Sequence, residues 1–208
     1  MLECNEDITI LKNGYKIIQK KEGFRFSVDA VLLADFFLPT KLGKVLDIGT
    51  GTAIIAILIA IKEKGNDITG IDIQDQSCDL ARRNVALNNL ENKIKIYNCD
   101  IKRYPQGNTF DYIVSNPPYM KIDGKKQNEY ISKSIARHEV ELTLEELVKN
   151  AKRLLKPIGT FTLIHRSYRF TEICRVLEDS GFSLKRVRFV HFSREKNSNL
   201  VLIEAVKG

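Results

Sequence analysis

A short apolar strand, a loop with two glycines and a wholly apolar segment follow one another near residue 50, and this order most constrains the fold. Residues 44–48 read Lys-Val-Leu-Asp-Ile, Gly49 and Gly51 follow, and the nine residues 53–61 are all apolar. Glycine lets the backbone turn sharply and approach a ligand, and the long apolar run predicts a helix buried on nearly all sides. A buried strand that leads into a buried helix indicates an α/β fold with a ligand at the loop.

The rest of the sequence continues this alternation of strands and helices. Residues 8–20 predict a hairpin around the two-residue turn Asn13-Gly14, and Ser27 can cap a helix that runs to Leu38, before Pro39. The later predicted elements are strands at 44–48, 68–73, 94–98, 110–115 and 160–165, helices from Ala53 and at 77–90, 143–155 and 168–180, and a strand pair at 184–193 and 199–206. The pattern predicts a doubly wound, mostly parallel sheet.

Four polar residues fall where predicted strands end, namely Asp47, Asp72, Asp100 and Asn116. Ligands of such sheets bind outside the carboxyl ends of the strands, so we expect a single site there. Asp72 lies twenty-one residues after Gly51, where a carboxylate suits the two hydroxyls of a ribose. The dinucleotide fingerprint requires Gly or Ala where this chain has Ile54, and Asp47 would repel a pyrophosphate. An acid ahead of the glycines favours a cationic ligand, S-adenosylmethionine, which carries a sulfonium and an ammonium group.

The residues after the predicted strand 110–115 are Asn116-Pro117-Pro118-Tyr119, a set suited to holding a planar amino group. Proline fixes its own φ, and Pro118 restricts Pro117, so the direction of the Pro117 carbonyl is nearly preset. Asn116 adds a side-chain carbonyl and Tyr119 an aromatic ring. Two fixed acceptors would stabilise the positive charge that develops when a weakly nucleophilic amine attacks. The structural alternative is a proline-rich turn without a catalytic role.

The composition is typical of one cytoplasmic α/β domain without a metal. The length of 208 residues fits a single domain. No run reaches the roughly 18–20 apolar residues of a membrane span, and the acidic start is unlike a signal peptide. The four cysteines and three histidines are scattered, which predicts reduced thiols and no metal site.

The net charge is +7, and two basic stretches account for much of it. Residues 121–137 hold five basic and two acidic residues, and residues 185–196 hold five basic and one acidic residue. Both stretches are candidates for contact with the phosphates of a nucleic acid, with a solvated lid and a solvated edge strand as the alternatives. Arg137-His138-Glu139, His191 and Asp29 receive no catalytic assignment, since structural roles explain them equally well.

These motifs resemble those of the class I, Rossmann-like, S-adenosylmethionine-dependent methyltransferases, and more narrowly the bacterial tRNA1(Val) adenine-37 N6-methyltransferase family. The narrower resemblance rests on four further segments: Gly23–Asp35, Ala136–Glu139, Arg188–His191 and Asn199–Gly208. It implies one methyltransferase domain over residues 1–208, with an N-terminal hairpin and helix in 1–43 and a Rossmann-like core in 44–208. The sheet is then expected to have seven strands, including the C-terminal antiparallel pair.

The resemblance also implies a role for each site residue. The expected catalytic residues are Asn116, Pro117 and Tyr119. The expected cofactor-binding residues are Asp47, Gly49, Gly51, Asp72, Ile73, Asp100, Ile101 and Asn116. The expected substrate-binding residues are Pro118 and Tyr119, to which the charge of the basic stretch that follows them adds Lys121, Lys125 and Lys126. The cofactor is S-adenosylmethionine, the partner is tRNA, and neither a metal nor a membrane is expected. Ala53 stands where many relatives have a third glycine.

Several alternatives remain open from the sequence. The same four-residue motif serves enzymes that methylate a glutamine amide of a peptide release factor, although those carry a helical domain before the glycine loop and only 43 residues precede Lys44 here. Methylation of another RNA amino group is a further possibility. From other classes, a nucleotide-binding oxidoreductase and a non-catalytic RNA-binding module also remain. The oligomeric state is not defined by the sequence.

Overall fold

The computed structural model of the protein describes residues 2–11, 14–22, 25, 27–119 and 142–208. The strands in these ranges are β1 Glu6–Ile10, β2 Lys16–Lys20, β3 Lys44–Ile48, β4 Asp67–Asp72, β5 Ile94–Asn98, β6 Phe110–Ser115, β7 Leu155–Arg166, β8 Phe182–Val190 and β9 Leu200–Lys207. The α-helices are α1 Val28–Phe36, α2 Ile54–Ile61, α3 Asp75–Leu87, α4 Leu144–Leu154 and α5 Phe170–Asp179. Single 3-10 turns at Ile101–Arg103 and Ser167–Arg169 follow β5 and β7.

The main sheet has seven strands in the order β5-β4-β3-β6-β7-β9-β8. The first five strands of this order are parallel, whereas β9 runs antiparallel to both β7 and β8. The chain reverses its direction of progress across the sheet between β3 and β6, which is the switch point where such sheets bind ligands. The predicted mostly parallel, doubly wound sheet with a C-terminal antiparallel pair is confirmed.

Helices cover both faces of this sheet and enclose two hydrophobic cores. One core holds apolar side chains of α1, α2 and α3, and the other holds those of α4 and α5. Neighbouring residues of β3 show the alternation, because Val45 belongs to the first core and Leu46 to the second. Every residue of α2 from Ile54 to Ala60 is buried, as its uninterrupted apolar sequence predicts.

The hairpin of β1 and β2 is fixed to α3 by polar contacts. The Asn84 side chain accepts from the Ile18 amide at 2.7 Å and donates to the Ile18 carbonyl at 3.0 Å. Arg83 donates to both carboxylate oxygens of Glu6, at 2.7 and 2.6 Å. This contact with Arg83 holds the pKa of the buried Glu6 carboxyl below its ordinary value. The hairpin therefore has a defined position beside the sheet.

The two strands of the predicted hairpin are present on both sides of its turn. Ile10 pairs with Lys16, and the Leu11 amide donates to the Tyr15 carbonyl at 2.7 Å. Gly14 has a φ of +84°, a backbone region that glycine adopts readily. Asn13 lies outside the described residues, so the two-residue turn stays a prediction.

Helix α1 ends at Phe36, two residues before the predicted Leu38. The chain turns into an extended conformation at Phe37, whose ring is 1% exposed and packs edge-on against Tyr112 at 5.6 Å between ring centroids. The Lys64 ammonium donates to the Phe37 carbonyl at 2.6 Å and to two carbonyls of the last helical turn. The helix therefore ends at Phe36, because Phe37 packs in the core and Lys64 caps the last carbonyls, and not at Leu38, the position that Pro39 predicts.

Two strands of the C-terminal region also differ from their predicted bounds. Strand β7 begins at Leu155, five residues before the predicted start, because α4 leads directly into it. An irregular register beside Phe110 and a φ of +64° at Ile158 accommodate this extension. Strand β8 ends at Val190, three residues early, where the Asn199 amide donates to the Val190 carbonyl and closes the ladder. The other bounds agree within three residues.

Candidate active site

The four polar residues at predicted strand ends lie along one edge of the sheet. Asp47 is the second-last residue of β3 and Asp72 is the last residue of β4, while Asp100 follows β5 and Asn116 follows β6. The strand order places them in the sequence Asp100, Asp72, Asp47, Asn116 across the carboxyl edge. The structure thus brings together these residues from four separate parts of the chain.

The loop between β3 and α2 has an unusual backbone. Gly49, Gly51 and Ala53 have φ values of +70°, +54° and +62°. A Cβ added at either glycine would meet no atom of the described residues within 4 Å, so open space faces both positions. The glycines are therefore required for the turn itself, and the space beside them is available to a ligand. Ala53 adopts the same left-handed region and is buried.

Asp47 is fully buried beneath this loop. Its Oδ2 accepts from the Thr50 hydroxyl at 2.8 Å, while its Oδ1 has no hydrogen-bond partner among the residues that the structure describes. The pKa of Asp47 is raised to about 7, chiefly by burial, with a smaller contribution from the Asp72 carboxylate and against the lowering effect of the Thr50 hydroxyl and the Ala56 amide. A buried acceptor without a donor is costly, and a cationic ligand group can supply the missing donor.

Gly70 of β4 makes room for the threonine that holds Asp47. Gly70 pairs with Asp47 across the sheet, and a Cβ on Gly70 would lie 2.7 Å from Thr50 Oγ1. Any larger residue at this position would displace the Thr50 side chain. The sequence pattern gives no indication of this contact, because Gly70 lies inside a strand.

Asp72 connects the glycine loop to the start of α3. Its Oδ2 accepts from the Gly51 amide at 3.0 Å and its Oδ1 accepts from the Gln74 amide at 2.9 Å. Each carboxylate oxygen has further acceptor capacity, so these bonds orient the group without excluding a ribose. The next residue, Ile73, is 46% exposed and presents an apolar side chain at the same edge. This arrangement suits a nucleoside.

Asp100 and Ile101 contribute in different ways. Asp100 is half-buried and caps the 3-10 turn Ile101–Arg103, since its Oδ1 accepts from the Lys102 amide at 2.9 Å. The Ile101 side chain is 4% exposed and belongs to the core under α4. Of these two predicted cofactor-binding residues, Ile101 therefore offers a ligand mainly its backbone, whereas Asp100 offers a carboxylate.

In the segment Asn116–Tyr119, the two polar side chains contact each other. The Tyr119 hydroxyl donates to Asn116 Oδ1 at 2.5 Å. Burial raises the pKa of the Tyr119 hydroxyl above its ordinary value, and the Asp29 carboxylate of α1 raises it further. Asp29, which received no assignment from the sequence, therefore belongs to the surroundings of Tyr119. Ser115, just before the segment, donates its hydroxyl to the Ile48 carbonyl at 3.1 Å and links β6 to β3.

Two residues at the end of β7 cover the Tyr119 ring. The His165 ring lies 5.1 Å from it between centroids, and the Arg166 guanidinium carbon lies 4.9 Å from its centroid. Ser115 pairs with Leu163, so the end of β7 runs beside the two prolines. Sequence reasoning missed His165 and Arg166. The rule that selected Asp47 and Asn116 would have found them, since both lie at the carboxyl end of a predicted strand.

His165 is buried and lines a small cleft behind the prolines, together with Pro117, Pro118, Thr143 and Arg169. Burial, and then the Arg169 guanidinium, lowers the pKa of His165 to about 3, so the imidazole is neutral near pH 7. Its Nδ1 accepts from the Arg166 amide at 2.8 Å, and its Nε2 lies 3.3 Å from Arg169 Nη1. A neutral, fixed imidazole supports the position of Tyr119 without adding charge.

The two basic stretches have different outcomes. Residues 121–137, with the predicted substrate-binding residues Lys121, Lys125 and Lys126, lie outside the described residues, as does Arg137-His138-Glu139. In the second stretch, Arg186 donates to both carboxylate oxygens of Glu204 and to the Phe36 carbonyl. Its guanidinium carbon also lies 4.4 Å from the centroid of the Phe36 ring. Arg186 thus holds β8, β9 and α1 together, a role that neither sequence interpretation of this stretch included.

The described residues fit S-adenosylmethionine. Asp47 offers a buried carboxylate oxygen for an ammonium group, the glycines leave open space, and Asp72 and Ile73 suit a ribose and an apolar ring face. A pyrophosphate would be repelled by Asp47 and Asp72. Within the described ranges, no three His, Cys, Asp or Glu side chains are placed to hold a metal ion, and no helix is long and apolar enough to cross a membrane.

The doubly wound sheet and the residues at its carboxyl edge define a Rossmann-like, S-adenosylmethionine-dependent methyltransferase. The methyltransferase small domain family matches residues 26–187. The chain belongs to this family and, within it, to the bacterial tRNA1(Val) (adenine(37)-N6)-methyltransferase family.

Relatives with that name support the narrower membership. The relative from Phocaeicola vulgatus is 30% identical over 193 residues, which cover 91% of this chain and 80% of the relative. The relative from a Flavobacteriaceae bacterium is 27% identical over 191 residues, which cover 90% of this chain and 80% of the relative. The narrower resemblance drawn from the sequence is therefore confirmed.

Solved structures show the same fold at low sequence identity. A predicted O-methyltransferase from Agrobacterium tumefaciens, Atu636, has a TM-score of 0.68 and 20% identity over 86% of this chain and 81% of its own. Pyrococcus horikoshii TYW2, solved in complex with MeSAdo, has a TM-score of 0.68 and 17% identity over 99% of this chain and 72% of its own. These likenesses confirm the architecture.

Proposed function

We propose that this protein transfers a methyl group from S-adenosylmethionine to the N6 amine of adenine 37 in tRNA1(Val). The observation that carries the proposal is the segment Asn116–Tyr119 at the carboxyl edge of the sheet, beside Asp47 and Asp72. The names of the related bacterial proteins supply the tRNA and the position of the adenine. The fold alone would allow many other substrates.

In this proposal, the residues of the chain hold and orient the amine. Bound S-adenosylmethionine supplies a methyl group on a positively charged sulfur, so the leaving group is already activated. The Asn116 side chain and the Pro117 carbonyl accept from the two N–H groups of the amine and stabilise its developing positive charge. The amine takes over the acceptor that the Tyr119 hydroxyl uses in this structure. Alignment of the reacting atoms is then the main contribution of the site.

Tyr119 stacks against the adenine in this proposal. An enzyme that acts on a base must take it out of its stack, and an aromatic side chain can replace the lost stacking. The His165 ring and the Arg166 guanidinium hold the tyrosine ring in place from the side of β7. His165 acts as a positioning residue, because its neutral ring contacts Tyr119 and lines the cleft behind Pro117.

The remaining assignments complete the proposal. Asp47, Gly49, Gly51, Asp72, Ile73, Asp100 and the backbone of Ile101 bind the cofactor, and Pro118, Lys121, Lys125 and Lys126 contact the substrate. We place the enzyme in the cytoplasm, where tRNA is modified. Residues 1–43 and 44–208 act as one methyltransferase domain, supported by the hydrogen bonds between the hairpin and Asn84 of α3.

The test is to incubate the purified protein with labelled S-adenosylmethionine and either tRNA from cells that lack the gene or a purified release factor. We expect N6-methyladenosine at position 37 of the digested tRNA. Label in the release factor and none in tRNA would replace the proposal with glutamine methylation. Tighter binding of NAD than of S-adenosylmethionine would replace it with a nucleotide-binding oxidoreductase, and RNA binding without methyl transfer would indicate a non-catalytic module.

The lysines after the motif are tested by the salt dependence of RNA binding. Each phosphate contact releases counterions, so removing contacts reduces the slope of log affinity against log salt. Lys125→Ala with Lys126→Ala should weaken tRNA binding, flatten this slope and leave cofactor affinity unchanged. Lys41→Ala with Lys95→Ala is the matched control, since both side chains are exposed at the amino edge of the sheet.

A further inference from the structure

Three exposed aromatic side chains lie around the end of β8 and the turn after β7. Tyr168 is 74% exposed, Phe192 is 59% exposed and Phe189 is 44% exposed. The basic residues Arg194 and Lys196 are exposed in the loop that joins β8 to β9. We call Tyr168, Phe189, Phe192, Arg194 and Lys196 the aromatic–basic surface.

This surface is held together by contacts between the turn and the loop. The Ser167 amide donates to the Asn199 carbonyl at 3.1 Å, and the Ser167 hydroxyl donates to the Ser198 carbonyl. The ring of Phe170, two residues after Tyr168, packs edge-on against Phe189 at 5.1 Å between centroids. Within the loop, the His191 ring is hydrogen-bonded to the Lys196 carbonyl. The exposed rings are therefore displayed from a fixed backbone.

The surface lies at the same sheet edge as the candidate active site. Arg166 pairs with Leu200 at the start of β9, and Leu200 pairs with Val190 at the end of β8. The end of β8 therefore lies three strand positions from the end of β6, which corresponds to roughly 14 Å. Arg166 connects the two regions, since its side chain covers Tyr119 and its backbone precedes the turn that carries Tyr168.

We propose that the aromatic–basic surface binds unpaired nucleotides that flank the target adenine of the RNA substrate. This inference rests on the proposed function and names the region that holds the single-stranded part of the substrate. Exposed aromatic rings stack on bases of any sequence, and cations beside them contact the phosphates. The surface and its neighbour Arg166 hold three basic residues, Arg166, Arg194 and Lys196, beside the acidic Glu195. This excess of positive charge favours a polyanion over an uncharged apolar partner.

The experiment measures binding of two RNAs by fluorescence anisotropy, a hairpin with an unpaired loop and a fully paired duplex of the same length. Tyr168→Ala with Phe192→Ala should lower affinity for the hairpin by at least about tenfold and change duplex affinity much less, because stacking requires unpaired bases. The salt slope and the affinity for S-adenosylmethionine should not change. The conservative pair Tyr168→Phe with Phe192→Tyr should restore hairpin affinity.

Two matched double variants test whether the loss of hairpin affinity is specific to the aromatic rings. Leu38→Ala with Leu42→Ala removes two apolar side chains that are 61% and 66% exposed before β3, far from the carboxyl edge, and should leave hairpin affinity unchanged. Arg194→Gln with Lys196→Gln should flatten the salt slope while the preference for unpaired over paired RNA remains.

Methyl transfer to tRNA is measured in parallel, so that failure of the inference and failure of the proposed function are distinguished. If the wild type methylates tRNA and the Tyr168→Ala, Phe192→Ala variant binds the hairpin as tightly as the wild type, the inference alone is wrong. If the wild type neither methylates tRNA nor binds RNA, the proposed function is wrong and the inference with it. A wild-type dimer that the aromatic variant converts to a monomer, measured by sedimentation, would assign the surface to self-association and overturn the inference.

Discussion

The Tyr119 hydroxyl donates a hydrogen bond to Asn116 Oδ1 at 2.5 Å, so each of the two polar side chains of the segment is held by the other. The Asn116 oxygen is thereby oriented before any substrate is present, which is the condition for effective stabilisation of developing charge. The same bond has to be exchanged for one to the amine when substrate enters. Both consequences can be tested by substitution.

Asn116→Ala should abolish most turnover while cofactor affinity stays nearly intact. Its contribution grows toward the transition state, and loss of one such oriented partner lowers the rate by about a hundredfold or more. Single-turnover kinetics and calorimetry with S-adenosylmethionine measure the two quantities. Asn116→Asp, which keeps the oxygen, is the comparison. Normal turnover in Asn116→Ala would show that the segment is only a turn.

Tyr119→Phe should retain turnover within a few-fold of the wild type, because the ring remains and the acceptor of Asn116 is released. Tyr119→Ala should weaken substrate binding by roughly 1–3 kcal/mol of lost stacking. The Michaelis constants for tRNA of the two variants give the comparison. A Tyr119→Phe variant as impaired as Tyr119→Ala would assign the main role to the hydroxyl instead of the ring.

Asp47→Asn should stabilise the protein without cofactor at pH 8 and weaken cofactor binding. The pKa of Asp47 is raised from its ordinary value of 3.8 to about 7 by burial. Between these values the folded protein retains a proton that the unfolded chain has lost, so the free energy of unfolding falls as pH rises through this window. Removing the charge should recover on the order of 4 kcal/mol at pH 8 and little at pH 4.

The cofactor affinity of the wild type should correspondingly weaken as pH falls below about 7, because Asp47 takes up a proton and loses its attraction for an ammonium group. Asp47→Asn should bind about ten- to a hundredfold more weakly at pH 7.5 and show a flatter pH dependence. Thermal unfolding and calorimetry over pH 5–8 check both statements. Equal cofactor affinity of the two proteins would remove Asp47 from the binding site.

Asp72→Ala should lower affinity for S-adenosylmethionine by about ten- to a hundredfold, as expected for loss of a charged bidentate contact. The structure adds a stability effect, because the Gly51 and Gln74 amides both donate to this carboxylate. Asp72→Asn should retain one of these bonds and so lose less stability than Asp72→Ala. Calorimetry and thermal unfolding separate the two effects, and unchanged affinity in Asp72→Ala would contradict the ribose assignment.

Arg186→Ala should destabilise the fold and leave RNA affinity nearly unchanged. The side chain holds Glu204, which is 13% exposed, and the Phe36 carbonyl, so its removal leaves partly buried acceptors without a donor. The expected loss in the free energy of unfolding is about 1–3 kcal/mol. Arg194→Ala, in the exposed loop, is the control and should have little effect on stability. A large loss of RNA affinity with unchanged stability in Arg186→Ala would return this residue to the phosphate-binding stretch.

The sequence by itself determined the alternation of strands and helices, the glycine loop and the four polar strand ends. These features depend on local signals: the apolar run 53–61, the positions of Gly49 and Gly51, and the prolines after β6. Because parallel strands end at a common edge, the convergence of Asp47, Asp72, Asp100 and Asn116 also followed from their positions along the chain.

Only the tertiary structure decided how these residues are held. Burial leaves Asp47 Oδ1 without a partner among the described residues, the end of β7 places His165 and Arg166 on Tyr119, and α1 brings Asp29 close to it. Arg186 contacts Phe36, 150 residues earlier in the chain, and this pairing makes it a structural residue. Such contacts depend on the packing of elements that are distant in the sequence, so the local sequence pattern around each residue does not predict them.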